Sequence, residues 1–144
     1  MKIVIAADHG GYDIKQAIIE ALTKDGHTVS DLGTDNATDS VDYPVYAQAL
    51  CAVLQKEEAS LGILCCGTGI GMSIAANKQR GIRAAVLSDE FSAEMTRRHN
   101  NSNVLCLGGR VIDSEKAIKL ARIFVGTEFE GGRHQRRVDM LETL

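Results

Sequence analysis

A cysteine followed by a glycine-rich loop is the stretch of this sequence best suited to chemistry. The apolar run from Leu61 to Cys65 predicts a buried strand, which ends on Cys66 and leads into a loop, Gly67-Thr68-Gly69-Ile70-Gly71, and a helix over 72–78. Glycines let a backbone approach a ligand, and the first N–H groups of a helix lack internal partners, so such a loop binds anions. The same donors favour the thiolate of Cys66, the form that acts as a base or a nucleophile.

Three other kinds of glycine loop are tested by spacing. A P-loop requires Lys-Ser/Thr after its last glycine, whereas Gly71 is followed by Met72-Ser73. A dinucleotide fingerprint requires G-x-G-x-x-G, normally in the first βα turn, and this loop reads G-x-G-x-G after the third predicted strand. A phosphatase loop holds phosphate with an arginine, and none lies six residues beyond Cys65 or Cys66. A tight turn with a buried, inert cysteine stays open as an alternative.

Polar side chains also follow other predicted strands. Asp8 and His9, with two glycines after them, end strand one (2–7), and Arg110 follows a glycine pair after strand five (104–107). Because ligands of parallel α/β sheets bind beyond the carboxyl ends of strands, we expect these side chains to meet Cys66 at one edge. Tyr43 opens the helix after a polar loop (33–42), where it either packs or contacts a substrate.

Two basic stretches lie in the second half of the chain. Arg97-Arg98-His99-Asn100 closes the helix after strand four (82–87), and it either complements the helix dipole or serves the site. Arg133 and Arg137 share one face of a helix and suit a phosphate clamp, with a solvated helix end as the alternative. His99 lies roughly 15 Å along its helix, toward the opposite edge of the sheet. If His99 acts at Cys66, we therefore expect it to come from a second subunit.

Strands and helices alternate along the whole chain. This pattern predicts one domain over residues 1–144: a three-layer α/β/α fold with a five-stranded parallel Rossmann-like sheet plus a C-terminal helix. The formal charge of −3 argues against general nucleic-acid or membrane binding. The first apolar run (3–7) is too short for a signal peptide, and the four cysteines lack metal-ligand spacing. We therefore expect a cytoplasmic protein with reduced thiols.

Together, these groups suit proton transfer beside the carbonyl of a phosphorylated substrate. The Cys66 thiolate would remove a carbon-bound proton, and the N–H groups of the loop would hold the enediolate oxygen that results. This chemistry requires no metal and no organic cofactor. Covalent catalysis at Cys66 stays open as an alternative.

The whole chain resembles the type B ribose-5-phosphate isomerase family, which also holds allose-6-phosphate isomerase and the galactose-6-phosphate isomerase subunits. The matching stretches run in order along the chain: Asp8-His9-Gly10-Gly11, Asp42-Tyr43-Pro44, Cys66-Gly67-Thr68-Gly69-Ile70-Gly71, Ala75-Ala76-Asn77-Lys78, His99-Asn100 and Gly131-Gly132-Arg133-His134-Gln135-Arg136-Arg137. The resemblance implies a metal-independent isomerase of the pentose phosphate pathway that interconverts ribose 5-phosphate and ribulose 5-phosphate through a cis-enediol. It also implies homodimers with shared active sites, or tetramers of such dimers.

The resemblance further implies a role for individual residues. Cys66 is the base that moves the proton between C1 and C2, and His99 is the acid that helps open the furanose ring, with Asp8 nearby. The other implied substrate contacts are His9, Tyr43, Gly67, Thr68, Gly69, Ile70, Gly71, Asn100, Arg110, Arg133 and Arg137, of which the arginines are best suited to phosphate. Some members carry a glutamate base on the helix after the loop, but residues 72–75 include no carboxylate here.

Two alternative functions remain at this point. The same isomerisation of a hexose 6-phosphate needs room for one more hydroxymethylene, and discrimination on that scale is worth about 1–3 kcal/mol. A non-catalytic nucleotide-binding module would use the glycine loop, with Asp89 as its ribose-binding acid, and would have no use for Cys66.

Overall fold

The computed structural model describes residues 1–144 and contains five strands and six helices. The strands are Lys2–Ala7 (β1), Thr28–Asp31 (β2), Leu61–Cys66 (β3), Ala84–Val86 (β4) and Val104–Gly108 (β5). The helices are Tyr12–Lys24 (α1), Tyr43–Gln55 (α2), Ile70–Asn77 (α3), Glu90–Asn100 (α4), Ser114–Gly126 (α5) and Arg133–Glu142 (α6), and a 3-10 turn over His9–Gly11 precedes α1. Every helix falls short of the length and apolarity that crossing a bilayer requires.

All five strands are parallel and form one sheet in the order β2-β1-β3-β5-β4. The two central strands pair with Ala7 opposite Cys65. The chain leaves β1 toward β2 on one side and leaves β3 toward β4 on the other, so the loops after β1 and β3 diverge. A crevice at such a switch point is where ligands of open parallel sheets bind. The predicted fold class is therefore confirmed, and the candidate residues that follow β1 and β3 lie at the switch point.

Two apolar cores, one on each face of the sheet, hold the helices in place. Helices α1, α4 and α5 pack on one face, α2 and α3 pack on the other, and α6 packs on α4. Consecutive side chains of a strand point to opposite faces, so Cys65 lies in the first core and Cys66 in the second. All six residues of β3 are buried, which fixes the backbone that carries Cys66.

Several predicted boundaries differ from those of the structure. The sequence predicts the second strand over 27–32 and the fourth over 82–87, but they span only 28–31 and 84–86, because both lie at the edges of the sheet and pair on one side only. Helix α3 begins at Ile70, two residues before the predicted start, since the left-handed conformation of Gly69 turns the chain directly into the helix. Helix α4 extends through Asn100, so His99 and Asn100 belong to its last turn.

The apolar spacing of α2 predicts a buried stripe of Tyr46, Ala49, Leu50, Val53 and Leu54, and this prediction is partly wrong. Ala49 is exposed, whereas Ala47 and Cys51 are fully buried beside Leu50. Alanine and cysteine give a weak hydrophobic signal, and the contacts of α2 with β1, β3 and α3 decide which face turns inward.

A buried charge joins α1 to the edge strand β2. Lys15 is fully buried on α1, and its Nζ donates to both carboxylate oxygens of Asp31 at 2.7 and 2.8 Å. Asp31 Oδ1 also accepts the Gly33 N–H at 2.9 Å. A charged side chain is retained in an interior only when it is paired, which explains the position of Lys15 within the apolar face of α1.

Candidate active site

Cys66 lies at the carboxyl end of β3, directly beneath the glycine loop. Its side chain is buried, and Sγ accepts a hydrogen bond from the Gly69 N–H at 3.1 Å. Gly69 adopts φ +80°, which favours glycine, and a Cβ there would lie 3.0 Å from the backbone of Leu107. The next N–H, that of Ile70, bonds to Thr68 Oγ1 at 3.2 Å. The loop therefore places a helix N-terminus and one N–H donor at the sulfur, an arrangement that stabilises negative charge on it.

The other three cysteines have the environment of inert thiols. Burial raises the pKa of Cys51 to about 11, and it also raises the pKa values of Cys65 and Cys106 well above the ordinary range of a thiol. Cys66 is the only one of the four whose sulfur accepts a hydrogen bond. The inert-cysteine alternative thus describes Cys51, Cys65 and Cys106 well, and Cys66 poorly.

The loop after β1 lies against the glycine loop. Asp8 is buried, and its Oδ1 accepts the N–H groups of Gly10 and Gly11 at 2.9 and 3.2 Å, while its own N–H donates to the Cys65 carbonyl at 3.1 Å. A Cβ on Gly10 would lie 3.0 Å from the Gly67 nitrogen, so the two loops are in contact. Asp8 therefore shapes the 3-10 turn with one oxygen and keeps Oδ2 free of protein hydrogen bonds.

His9, Tyr43 and Arg110 surround the two loops. The Val41 N–H donates to His9 Nδ1 at 3.2 Å, so Nε2 carries the ring proton of neutral His9 and is free to donate to a ligand. A Cβ on Gly71 would lie 2.6 Å from the Tyr43 ring, and a Cβ on Gly67 would lie 3.0 Å from Arg110 Nη1. We call this group the carboxyl-edge site; it comprises Asp8, His9, Tyr43, residues 67–71 of the loop, and Arg110.

A second group of predicted residues lies at the opposite edge of the sheet. His99, Asn100 and Arg137 line a cleft of about 370 Å³ that includes no residue of the Cys66 loop. Just beyond α4, the Asn103 carbonyl accepts the Gly62 N–H at 2.8 Å, at the amino end of β3. Within one chain, His99 therefore lies at the edge opposite Cys66, as the length of α4 predicts. We call this group the amino-edge site; its other lining residues are His134, Val138 and Leu141.

Two residues at or beside the amino-edge site, His134 and Glu130, were not selected from the sequence. The His134 ring is only 7% exposed and stacks on His99 with the ring centroids 4.2 Å apart. His134 Nε2 lies 3.3 Å from Glu130 Oε2, and His99 Nε2 lies 4.0 Å from the same oxygen. The spacing of Glu130 and His134 was the one signal available, since the contact with His99 depends on the packing of α6 against α4.

The remaining basic residues divide into structural and exposed ones. Arg97 donates to Asn101 Oδ1 and to the carbonyls of Ser102 and Thr127, so it satisfies acceptors beyond the end of α4. Arg133 is exposed at the start of α6 and lies outside the cleft that Arg137 lines. Within one chain, the predicted arginines are thus distributed between the two edges of the sheet.

Comparison with known proteins identifies the family. The ribose/galactose isomerase profile matches residues 3–141. Ribose-5-phosphate isomerase B of Escherichia coli is 43% identical over 143 residues, covering 99% of this chain and 95% of that protein. The structure of Clostridium thermocellum ribose-5-phosphate isomerase B is 44% identical with a TM-score of 0.96, and the match covers 99% of this chain and 96% of that one. The structure of Mycoplasma genitalium ribose-5-phosphate isomerase B, which contains bound ribulose 5-phosphate, is 41% identical with a TM-score of 0.93, and the match covers 99% of this chain and 94% of that one. The chain belongs to the ribose/galactose isomerase family.

Proposed function

We propose that this chain is an aldose–ketose isomerase that interconverts ribose 5-phosphate and ribulose 5-phosphate. The observation that carries the proposal is the Cys66 sulfur, which accepts the Gly69 N–H at the start of α3. A thiolate held beside backbone donors is equipped to take a proton from carbon while the donors stabilise the oxygen anion that forms. The bound ribulose 5-phosphate in the Mycoplasma genitalium relative supports the choice of sugar.

The reaction divides into ring opening and proton transfer. In ring opening, His99 donates a proton to the ring oxygen while the anomeric hydroxyl loses one, with Asp8 nearby as an acceptor. In the isomerisation, the Cys66 thiolate takes the proton from C2 of the aldose and returns it to C1, and a hydroxyl proton moves from O2 to O1. The N–H groups of the loop, with Thr68 and Asn100, would hold the enediolate and sugar hydroxyls between these steps.

Shared sites between two subunits would bring the two halves together. In a symmetric dimer, the amino-edge site of one subunit would supply His99, Asn100 and Arg137 to the carboxyl-edge site of its partner. The apolar surface next to Cys66 is suited to such an interface: Ile70 is 53% exposed and Ile74, one turn further along α3, is 56% exposed. Tetramers of such dimers would preserve the same pairing.

The phosphate would lie among arginines from both halves. Arg110 extends from the end of β5 beside Gly67, and Arg137 lies at the cleft that would face it across the dimer. Guanidinium groups match phosphate oxygens in geometry and charge, and Arg133 and His9 add further donors.

Four free cysteines suit the reducing cytoplasm, and ribose 5-phosphate isomerisation belongs to the pentose phosphate pathway.

Proton NMR in D2O with EDTA tests the proposed activity. The protein is incubated with ribose 5-phosphate, and parallel tubes contain allose 6-phosphate and galactose 6-phosphate, because the family includes galactose isomerases. We expect ribulose 5-phosphate to form fastest, without any added metal. Faster conversion of a hexose phosphate would reassign the substrate, and no conversion in any tube would overturn the proposal in favour of a binding module.

A further inference from the structure

At the amino-edge site, His99 and His134 lie beside Glu130, and the three side chains bring together donor atoms that suit a metal ion. We propose that His99, Glu130 and His134 bind a divalent transition metal, with Zn²⁺ as the preferred ion, and that the bound ion inhibits the enzyme. Binding of the ion is independent of the isomerase activity, whereas inhibition rests on the function proposed above. The nearest ligand atoms of the three side chains all lie within 4.8 Å of one another.

The separations of the ligand atoms match tetrahedral coordination. Zinc–nitrogen and zinc–oxygen bonds of about 2.1 Å place neighbouring tetrahedral ligands about 3.4 Å apart. His134 Nε2 and Glu130 Oε2 are 3.3 Å apart, and His99 Nε2 is 4.0 Å from the same oxygen. His134 and Glu130 are therefore already at the required spacing, and His99 Nε2 must approach the carboxylate oxygen by about half an ångström.

The exposure of His99 allows that adjustment. The rings of His99 and His134 stack with an interplanar angle of 13°, so their nitrogen lone pairs lie in nearly parallel planes and one ring must turn to converge on an ion. His134 is held in the packing between α6 and α4, whereas the His99 side chain is 40% exposed and free to turn. The Glu130 N–H donates to the Arg98 carbonyl at 3.1 Å, which holds the backbone of Glu130 near the end of α4.

The donor types select the class of metal. Two imidazole nitrogens and one carboxylate oxygen suit Zn²⁺ and its neighbours in the first transition row, whereas Mg²⁺ and Ca²⁺ prefer sites made of oxygen alone. Three protein ligands leave a fourth position for water at the open cleft. Arg98 Nη1 lies 3.4 Å from Glu130 Oε1, and Arg137 lines the cleft, so both cations oppose the ion. We therefore expect reversible binding, weaker than that of a structural zinc site.

Inhibition is expected because the ion binds the nitrogen atom of His99 that would carry the catalytic proton. A metal bound to His99 Nε2 takes the lone pair that would otherwise carry the proton, so His99 can no longer act as an acid at the ring oxygen. The ion would also neutralise Glu130 and add positive charge to the cleft. Turnover of ring-closed sugar phosphate should therefore fall as the site fills, and EDTA should restore it.

Calorimetric titration with Zn²⁺, and absorption spectroscopy with Co²⁺ as a coloured substitute, test the binding on the full chain without substrate. Glu130→Gln removes one ligand at almost unchanged volume, and Glu128→Gln is the matched control, because Glu128 is exposed nearby and makes no ion pair. We expect one ion per chain, an affinity about tenfold or more lower in Glu130→Gln than in the control, and little change in Cys66→Ala. Circular dichroism of each variant verifies its fold.

The outcomes separate the metal site from the isomerase. Equal Zn²⁺ affinity in Glu130→Gln and Glu128→Gln would overturn the site. Loss of Zn²⁺ binding in Cys66→Ala would also overturn it, because the thiol would then be the ligand. Loss of the ion in Glu130→Gln alone supports the site even if no sugar phosphate is converted. If ribose 5-phosphate is converted, unchanged turnover at saturating Zn²⁺ would overturn the inhibition while leaving the site in place.

Discussion

At the scale of single residues, Cys65 and Cys66 show how environment decides chemistry. The two are neighbours on β3, but Cys65 faces a packed core, where burial raises the pKa of its thiol. The Cys66 sulfur instead accepts the Gly69 N–H at the mouth of the glycine loop. One position along the strand therefore separates an inert thiol from the candidate base.

Replacing Cys66 by alanine should abolish turnover and spare substrate binding. The variant lacks the proton acceptor but retains the loop and the arginines, so we expect kcat to fall by about 100-fold or more with a nearly unchanged Kd for ribose 5-phosphate. Single-turnover kinetics and calorimetry measure the two quantities. Cys65→Ala is the matched control on the same strand and should keep kcat. Retained turnover in Cys66→Ala would exclude the thiol as the base.

Replacing Arg137 by alanine should act mainly on KM. Phosphate is held in the ground state and in the transition state alike, so removal of a guanidinium contact weakens both equally. A charge-assisted hydrogen bond is worth about 1.5–3 kcal/mol, which predicts a rise in KM of about tenfold or more with little change in kcat. Steady-state kinetics measure both, and Arg136→Ala, which removes an exposed neighbour outside the cleft, is the control. A fall in kcat at constant KM would contradict the phosphate role.

The residues at strand ends could be selected from the sequence, because the carboxyl ends of parallel strands share one edge. Asp8, Cys66 and Arg110 each follow an apolar run and accompany glycines, and those patterns are local. Glu130 and His134 could not be selected, since their significance depends on His99, which lies some thirty residues earlier on another helix. No local pattern encodes the packing of α6 on α4.

At the scale of secondary-structure elements, the Lys15–Asp31 pair determines how the edge strand β2 is held. The periodicity of α1 was predictable from its apolar residues, but a lysine on the buried face contradicts that pattern. The burial of Lys15 is possible only because it is paired with the carboxylate of Asp31. Asp31 is the last residue of β2 that pairs with β1. Packing also decides the buried face of α2, since Ala47 and Cys51 are buried by their neighbours rather than by strong hydrophobicity.

The two partners of this ion pair should differ in their contribution to stability. Asp31→Ala would leave a fully buried ammonium without its counter-charge and should lower the free energy of unfolding by about 3 kcal/mol. Lys15→Met fills the same space with an apolar chain, and the Asp31 carboxylate, 39% exposed, remains hydrated, so we expect a much smaller loss. Denaturant unfolding measures both variants. Equal losses would show that the pair acts through its geometry rather than through the buried charge.

At the scale of the whole molecule, the candidate site residues lie at two opposite edges of the sheet. The carboxyl edge presents the thiol, the N–H donors and Arg110, and the amino edge presents His99, Asn100 and Arg137. The distance between Cys66 and His99 was predictable from the length of α4 alone, since α4 must run back along the strands before β5 begins. In the proposed dimer, the residues of the partner that approach each edge depend on the interface, which no pattern within one chain specifies.

Mixed dimers provide the sharpest test of shared sites. Cys66→Ala and His99→Asn should each be inactive alone. In a dimer of one chain of each, trans pairing places the intact Cys66 beside the intact His99 at one of the two sites. Random exchange after equal mixing makes half of the dimers mixed, so about a quarter of the wild-type specific activity should return. If both residues of a site came from one chain, every site would keep one defect and activity would stay absent, with the unmixed variants as the baseline.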